Sequence, residues 1–355
     1  MNPNVVLPFL SSLFSFIFAA MVGDQWLRRR QPFQLVWTIG LLWYGISAGT
    51  EFIGGAWGWS EPLYRVWYLI GAVYVAGWLG LGTVYLLART RFGYAFAVSL
   101  LLAGLFTLLS QAKYHYAASG PAPYIYFGVA IVVAIAIAVM TFRRDDRWAT
   151  LAAAVIVGGS LVAAVMAFTA QLAPPGFSVD PQTLIPTGEK MPGYLRLLTP
   201  FFNVTGAFAL GLGALYSAYT FMEKRRVIRY SLRTDQGPLA FALNLLLAPI
   251  AIAVNFAASL PGTLVALVRG RLSSRVPATI LIAIGATIPA FTSGANRFGA
   301  TSAFFVGELL GILFLFAGFL VSIEVFSDIR LPFTRIVLAR RSGVPDVVDS
   351  AAPPA

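Results

Sequence analysis

The sequence predicts an all-α protein: a polytopic transmembrane helix bundle of about nine spans plus one broken or re-entrant hairpin. Hydrophobic residues make up 58% of the chain and charged residues only 11%, whereas soluble domains carry about 25% charged residues. Apolar runs of roughly 20 residues, long enough to cross about 30 Å of hydrocarbon, follow one another along most of the chain. Basic residues collect in every second gap, which is typical of cytoplasmic loops.

Composition also excludes several classes of function. The net charge is +11, but the arginines lie in short loops beside the spans, so they indicate membrane topology rather than nucleic-acid binding. The chain has no cysteine, which excludes disulfides and thiol chemistry, and one histidine, His115, which excludes a multi-histidine metal site within one chain. We therefore predict no cofactor and no metal.

The first region, residues 1–233, is predicted to be a seven-span bundle with its N-terminus outside. The first apolar run differs from a signal peptide because its positive charges, Arg28 to Arg30, follow the run instead of preceding it. A proline-rich loop at 173–200 precedes the last of these spans. The predicted spans are about 5–22, 34–57, 66–88, 95–112, 125–142, 149–172 and 201–222.

The second region, residues 234–330, is predicted to begin with the hairpin. Residues 238–268 are apolar, but Pro249 and Pro261 interrupt them, and each proline removes one helix hydrogen bond. A segment that returns to its starting side leaves 20 of the 25 basic residues inside, whereas a single crossing gives 14 inside and 11 outside. The charge pattern favours a return, and whether the segment re-enters the membrane or lies at its interface stays open.

Two further spans, about 276–294 and 301–327, complete this region. Residues 331–355 are predicted to be a cytoplasmic tail with a disordered, Pro/Ala-rich end.

Two acidic residues inside predicted spans are the strongest candidates for a site. Glu51 lies six residues before Trp57, and Glu308 lies seven residues after the predicted start of the last span. Both are therefore roughly 10 Å below the outer surface. An acidic side chain in the membrane is unfavourable by about 2.5–3.5 kcal/mol, so it faces protein or water. Glycines near both residues allow close helix packing.

Three more polar residues lie on the same predicted side, and they complete a polar pocket open to the outside: Asn203, Asn296 and Arg297. The alternative is that each carboxyl group bonds only its own neighbours and ties helices together.

Residues 1–222 resemble the seven-helix membrane sensor modules of bacterial histidine kinases. The resemblance is carried by the arginines after the first span, by Trp37 and Trp43 before Glu51, by the run Arg65 to Tyr68, and by Trp78. It implies that this part senses a ligand or the state of the membrane. No kinase domain follows in this chain, so signalling implies a separate partner. Segments 65–87 and 296–319 also resemble a bacterial membrane protein family without assigned activity, which implies no function.

The predicted function is that of an integral protein of the bacterial cytoplasmic (inner) membrane. A non-catalytic sensor, binding or assembly module with an outward-facing polar pocket is favoured. The alternative is a secondary transporter that uses the buried acids and the broken helix. No nucleophile–base set favours an enzyme. The expected partners are the lipid bilayer and either a small ligand or another membrane protein.

Overall fold

The computed structural model describes residues 2–340 except 182, 183, 232, 270–274, 297–301, 323–325, 327 and 335. Over these residues the chain is an all-α helix bundle with one small pair of strands. Eight of the described helices are long and apolar enough to cross a membrane. The predicted fold class is confirmed at this level. The predicted disordered tail end, residues 342–355, and Arg297 lie outside the described residues.

Helix boundaries follow local signals in the sequence. Proline stands in the first turn of α1, α2 and α3, where its missing N–H needs no partner. The helices are α1 Pro3–Arg29, α2 Pro32–Trp57, α3 Glu61–Leu69, α4 Val75–Leu86, α5 Phe92–Tyr114, α6 Ala122–Phe142, α7 Trp148–Thr169, α8 Gly193–Phe221, α9 Pro238–Val268, α10 Arg275–Asn296 and α11 Ser302–Val321. A π-helical turn, Ile70–Tyr74, joins α3 to α4, and the strands are β1 Asp328–Arg330 and β2 Val337–Arg340.

The bundle has two chemically different ends. We call one the basic end, because α1, α4 and α6 finish there beside Arg28–Arg30, Arg89, Arg91, Arg143 and Arg144. We call the other the loop end, because it carries the long segment 170–192 between α7 and α8. With α3 and α4 counted as one span, and apart from α9, successive helices run alternately between these ends. Close pairs are formed by α1 with α2, α5 with α6, and α10 with α11.

Close packing at the centre depends on small residues. A Cβ atom on Gly206 of α8 would lie 2.1 Å from the carbonyl oxygen of Ala76, so these helices meet backbone to backbone. Trp37 of α2 is 2% exposed and donates its indole N–H to the carbonyl of Leu79 at 3.1 Å. Its ring lies 4.5 Å from that of Phe319. These contacts join α2, α4 and α11 around a shared core.

The predicted hairpin is wrong, because residues 238–268 form the single helix α9. Pro249 and Pro261 both lie inside it. A proline removes only its own hydrogen bond, and the turns on either side continue when other contacts support them. Two asparagines of this helix hold neighbouring backbone. Asn255 Oδ1 accepts hydrogen bonds from the N–H groups of Val227 and Ile228 at 2.7 and 2.9 Å, and Asn244 Oδ1 accepts one from Ser231 at 3.0 Å.

The helix α9 lies across the basic end. Near its start, the ring of Phe241 contacts Tyr94 and Phe142, with centroids 5.9 and 5.7 Å apart. Fifteen residues later, which is about 22 Å along a helix, Phe256 packs in the apolar cluster formed by Tyr219, Met222 and Val276. Because all five partners lie at or near the basic ends of α5, α6, α8 and α10, α9 crosses this end instead of running along the bundle.

The loop before α8 is shorter than predicted. Helix α8 begins at Gly193, so residues 193–200 are helical and Pro200 lies within a helix. The predicted loop therefore extends eight residues too far. The remaining segment is folded over the loop end, where the carbonyl of Leu184 accepts the indole N–H of Trp59 at 2.7 Å and that of Thr187 accepts the hydroxyl of Tyr64 at 3.1 Å.

Part of the predicted tail also has structure. Strands β1 and β2 pair antiparallel at the basic end. Asp24 of α1 is 4% exposed, and its carboxylate accepts hydrogen bonds from Arg28 and from the backbone N–H of Phe333. Arg28 also donates to the carbonyl of Thr334 at 3.0 Å. The segment around 333 is thereby tied to the first helix.

Candidate functional site

The structure brings Glu51 and Glu308 together. Glu51 lies on α2 and is 3% exposed, and Glu308 lies on α11 with its Oε2 atom fully buried. Their carboxyl groups lie close enough to interact directly. Two acidic residues separated by more than 250 positions thus form one buried carboxyl pair, about 10 Å from the loop ends of their helices.

Aromatic side chains frame this pair. The indole N–H of Trp67 donates to Glu51 Oε1 at 2.9 Å. The hydroxyl of Tyr44 donates to the backbone carbonyl of Glu308 at 2.8 Å. Trp59 packs edge-on against Trp67 with centroids 6.0 Å apart. Trp67 thus bonds the side chain of Glu51, and Tyr44 bonds the backbone of Glu308.

Each glutamate keeps one oxygen atom without a partner. The Oε2 atoms of Glu51 and Glu308 are buried and accept no hydrogen bond. The hydroxyl groups of Ser11 and Ser15 on α1 are also buried and unpaired. Helices α1 and α11 run parallel, and Phe18 of α1 contacts Phe316 of α11. Ser11 lies seven residues before Phe18 and is therefore at about the level of residue 309, seven residues before Phe316. Unpaired polar groups therefore gather at one depth between α1, α2 and α11.

The short connection between α2 and α3 determines which residues face Glu51. Residues at equal distances before and after position 59 lie opposite one another. Glu51 contacts Trp67 in this way. Ser47 likewise lies opposite Gly71, where a Cβ atom would be 2.7 Å from the Ser47 hydroxyl. The π-helical turn begins one residue before Gly71. Such turns are frequent at functional sites. Here the turn lies one helical turn below the carboxyl pair.

Trp67 and Tyr44 were missed in the sequence analysis. The signal for Trp67 was present, because a tight helical turn centred near Trp59 places position 67 opposite position 51. The signal for Tyr44 was absent, since its partner on α11 is 264 residues away.

The other three predicted pocket residues are not joined to the pair by observed contacts. Asn203 lies on α8, and among the described residues its side chain makes no hydrogen bond with either glutamate. It lies two turns before Leu210 on one helix face, and Leu210 belongs to the same apolar cluster as Ile312 of α11. Asn296 ends α10, and Arg297 lies outside the described residues.

The pair is covered in this structure. Glu51 is almost fully buried, and the 170–192 segment packs on Trp59 and Tyr64 above it. A shallow concavity of about 330 Å³ occurs elsewhere at the loop end, and none of the predicted pocket residues lines it. Its walls are mainly apolar and include Ile125, Tyr126, Met166 and Tyr194. The predicted opening of the polar site to the outside stays a prediction.

The two carboxyl groups act as neighbouring acceptors for a proton, a hydrogen bond or a cation. Two carboxyl groups, with one free oxygen each, can bind a proton or a small cation. In the described part of the chain, no group of three or more histidine, aspartate or glutamate side chains could hold a metal ion.

Trp67 and Arg65 belong to the segment that carries the predicted resemblance to histidine-kinase sensor modules. Trp67 bonds the carboxyl pair, and Arg65 donates to the carbonyls of Ala167 and Ala170 at the end of α7. The segment thus positions the candidate site and closes a neighbouring helix. Comparisons of the chain with protein families, curated proteins and solved structures find no match, and the resemblance stays a prediction.

Proposed function

We propose that this chain is a non-catalytic sensor, binding or assembly protein of the bacterial cytoplasmic membrane, and that its binding site is the Glu51–Glu308 pair. One observation carries the proposal: two buried carboxyl groups are in contact, and each keeps an unpaired oxygen. A polar group buried without a partner is unfavourable by about 1–3 kcal/mol. A protein keeps such an arrangement where a ligand completes it.

The ligand class follows from charge. Two adjacent carboxylates repel each other, and the repulsion is strong where water is excluded. A bound proton or a small cation removes it. Trp67 donates to Glu51 in either case, so the pair can gain or lose its ligand while the frame around it stays in place.

The proposed orientation places the basic end in the cytoplasm and the N-terminus outside. Arginines cluster at the basic end, in agreement with the excess of Lys and Arg in cytoplasmic loops. The carboxyl pair then lies about 10 Å below the outer surface. Protonation or cation binding from outside would reach a partner protein through α2 and α11, which both extend to the basic end.

Infrared difference spectroscopy between acidic and alkaline buffer tests this proposal with the proton as the probe. The purified protein in lipid nanodiscs should show a carboxyl band from a buried group, distinct from the bands of exposed carboxyls. The band should disappear in Glu51→Gln and in Glu308→Gln, because each substitution removes one half of the pair. Persistence of the full band in both variants would exclude the pair as the proton site.

Glu189→Gln is the matched control. Glu189 lies in the 170–192 segment outside the pair, so this variant should retain the band. Equal elution volumes and unfolding temperatures of all three variants would show that loss of the band is not loss of the fold. Sodium titration followed in the same band distinguishes a cation ligand from a proton, because sodium would compete with protonation.

A secondary transporter is the second candidate, and the carboxyl pair is the observation that favours it, since transporters place paired acids on ion pathways. The continuous helix α9 removes the broken-helix argument for transport. Proteoliposomes with an internal pH dye distinguish the two functions. Proton flux that is lost in Glu51→Gln would favour the transporter, whereas proton binding without flux would favour the sensor or binding module.

A further inference from the structure

The helix α9 presents two opposite faces. One face is buried and consists of small or polar side chains: Ala248, Ala251, Asn255, Ser259, Thr263 and Ala266. The other is exposed and apolar, and it includes Leu239, Leu243, Leu246, Ile250, Leu260 and Leu264, which are between 36% and 75% exposed. At 100° per residue these six residues form a stripe about 100° wide on one side of the helix. A surface of this size is not stable in water.

The polar face of α9 is occupied by the segment that follows α8, residues 223–231, which we call the basic linker. Backbone N–H groups of the linker donate to α9 side chains: Arg225 to Ser259 at 2.8 Å, Val227 to Asn255 at 2.7 Å, and Ser231 to Asn244 at 3.0 Å. The linker therefore runs antiparallel along α9 for about 15 residues of helix, roughly 22 Å. Burial raises the pKa of Tyr230 to about 12, in agreement with this close packing.

The linker decides how α9 can lie in a membrane. The side chains of Arg225, Arg226 and Arg229 are exposed, and they flank the middle of α9. If α9 crossed the bilayer, these three cations would lie in the hydrocarbon, where each is unfavourable on insertion scales. With α9 in the membrane plane, they lie at the headgroups. The contacts of α9 with the basic ends of α5, α6, α8 and α10 require the same in-plane position.

We propose that α9 is an interfacial helix at the basic end, with its Leu/Ile face in the acyl chains of one leaflet and the basic linker bound to anionic phospholipid headgroups. Interfacial helices place an apolar face below the headgroups and are held in addition by cationic side chains. The lipid also continues the apolar surface of the bundle, because Phe142 and Phe221 beside α9 are exposed.

Depth measurements on single-cysteine variants test the in-plane position in this cysteine-free chain. Leu239→Cys, Ile250→Cys and Leu264→Cys carry labels over 25 residues of α9, about 37 Å along the helix. An in-plane helix places all three labels at one depth, whereas a spanning helix places the outer two near opposite surfaces. Val98→Cys and Leu109→Cys on α5, both exposed, are the control and should differ in depth by about 16 Å.

Quenching by brominated lipids tests the headgroup chemistry. A fluorophore at Ile250→Cys should be quenched preferentially by brominated phosphatidylglycerol over brominated phosphatidylcholine. Arg225→Gln, Arg226→Gln and Arg229→Gln should weaken this preference about fivefold for each arginine removed. A label at Leu109→Cys, at the loop end, should be unaffected by these substitutions. Equal quenching by the two lipids in the otherwise unchanged protein would overturn the anionic site.

Two further outcomes would overturn the proposal. Graded depths along α9 would show that it spans the bilayer. Labels that no lipid quencher reaches in native membranes would show that another protein chain covers the Leu/Ile face.

Discussion

The helices α2 and α9 reverse the expectation that the most apolar helix lies deepest. The helix α2 contains Glu51 and five glycine residues, and it falls outside the eight helices apolar enough to cross a membrane. It nevertheless forms the core with α1, α4 and α11. The helix α9 is among the eight, yet only 17% of its most apolar stretch is buried. Small residues and paired polar groups make α2 a packing partner, whereas a broad apolar face directs α9 to lipid.

Truncation of a large side chain should give the largest difference in stability between the two helices. Trp37→Ala on α2 removes a buried ring that contacts Phe319 and bonds Leu79, so it should lower the free energy of unfolding by about 3–5 kcal/mol. Leu246→Ala on α9 removes a side chain that is 75% exposed and should change it by less than about 0.5 kcal/mol. Thermal unfolding in nanodiscs measures both, and a large loss for Leu246→Ala would place α9 inside the bundle.

An added methyl group should lower the stability of the protein in α2 and raise it in α9. A Cβ atom on Gly40 would lie 3.0 Å from the backbone nitrogen of Leu79, whereas one on Gly262 of α9 would meet nothing within 4 Å. Gly40→Ala should therefore destabilise by about 1–3 kcal/mol, and Gly262→Ala should stabilise by up to about 1 kcal/mol. The unfolding midpoint of each variant gives the sign. Stabilisation by Gly40→Ala would contradict the close contact between α2 and α4.

Loss of the polar side chain at the centre of α9 should act on the basic linker rather than on the bundle. Asn255→Leu leaves the N–H groups of Val227 and Ile228 without their acceptor, which is unfavourable by about 1–3 kcal/mol. Hydrogen exchange of the linker amides should accelerate roughly tenfold to a hundredfold, while the core helices keep their protection. Asn244→Leu, which removes one linker bond, should have a smaller effect; an equal effect would argue against Asn255 as the main anchor.

The smallest expected effect concerns the hydrogen bond to the carboxyl pair. Trp67→Phe keeps a ring beside Glu51 but removes its 2.9 Å hydrogen bond, so stability should fall by about 1 kcal/mol. Trp57→Phe at the loop end of α2 is the control, because Trp57 is 73% exposed. Equal unfolding temperatures for these two variants would show that the bond from Trp67 does not stabilise the pair.

The sequence was most informative where a pattern is local or repeated. The apolar runs predicted the helices, and the matched depth and nearby glycines of Glu51 and Glu308 singled out two residues that lie in contact. Contacts between residues that are far apart in the sequence were not predictable. Pro249 and Pro261 were interpreted as interruptions because nothing local shows that the basic linker returns along α9. The position of Asn203 relative to the pair depends on helix rotation, which one unaligned sequence does not specify.

The contact of Asp24 with the backbone of Phe333 can form only late in the synthesis of the chain. The two residues are 309 positions apart, so at 5–20 residues per second a ribosome delivers the second about 15–60 s after the first. Until then Asp24 has Arg28, four residues further on, as its partner. The first helix can thus be inserted early with its acid neutralised, and the basic end closes only when the final strands emerge. A nascent chain stopped before residue 333 would keep an exposed, open end that quality-control proteases can recognise.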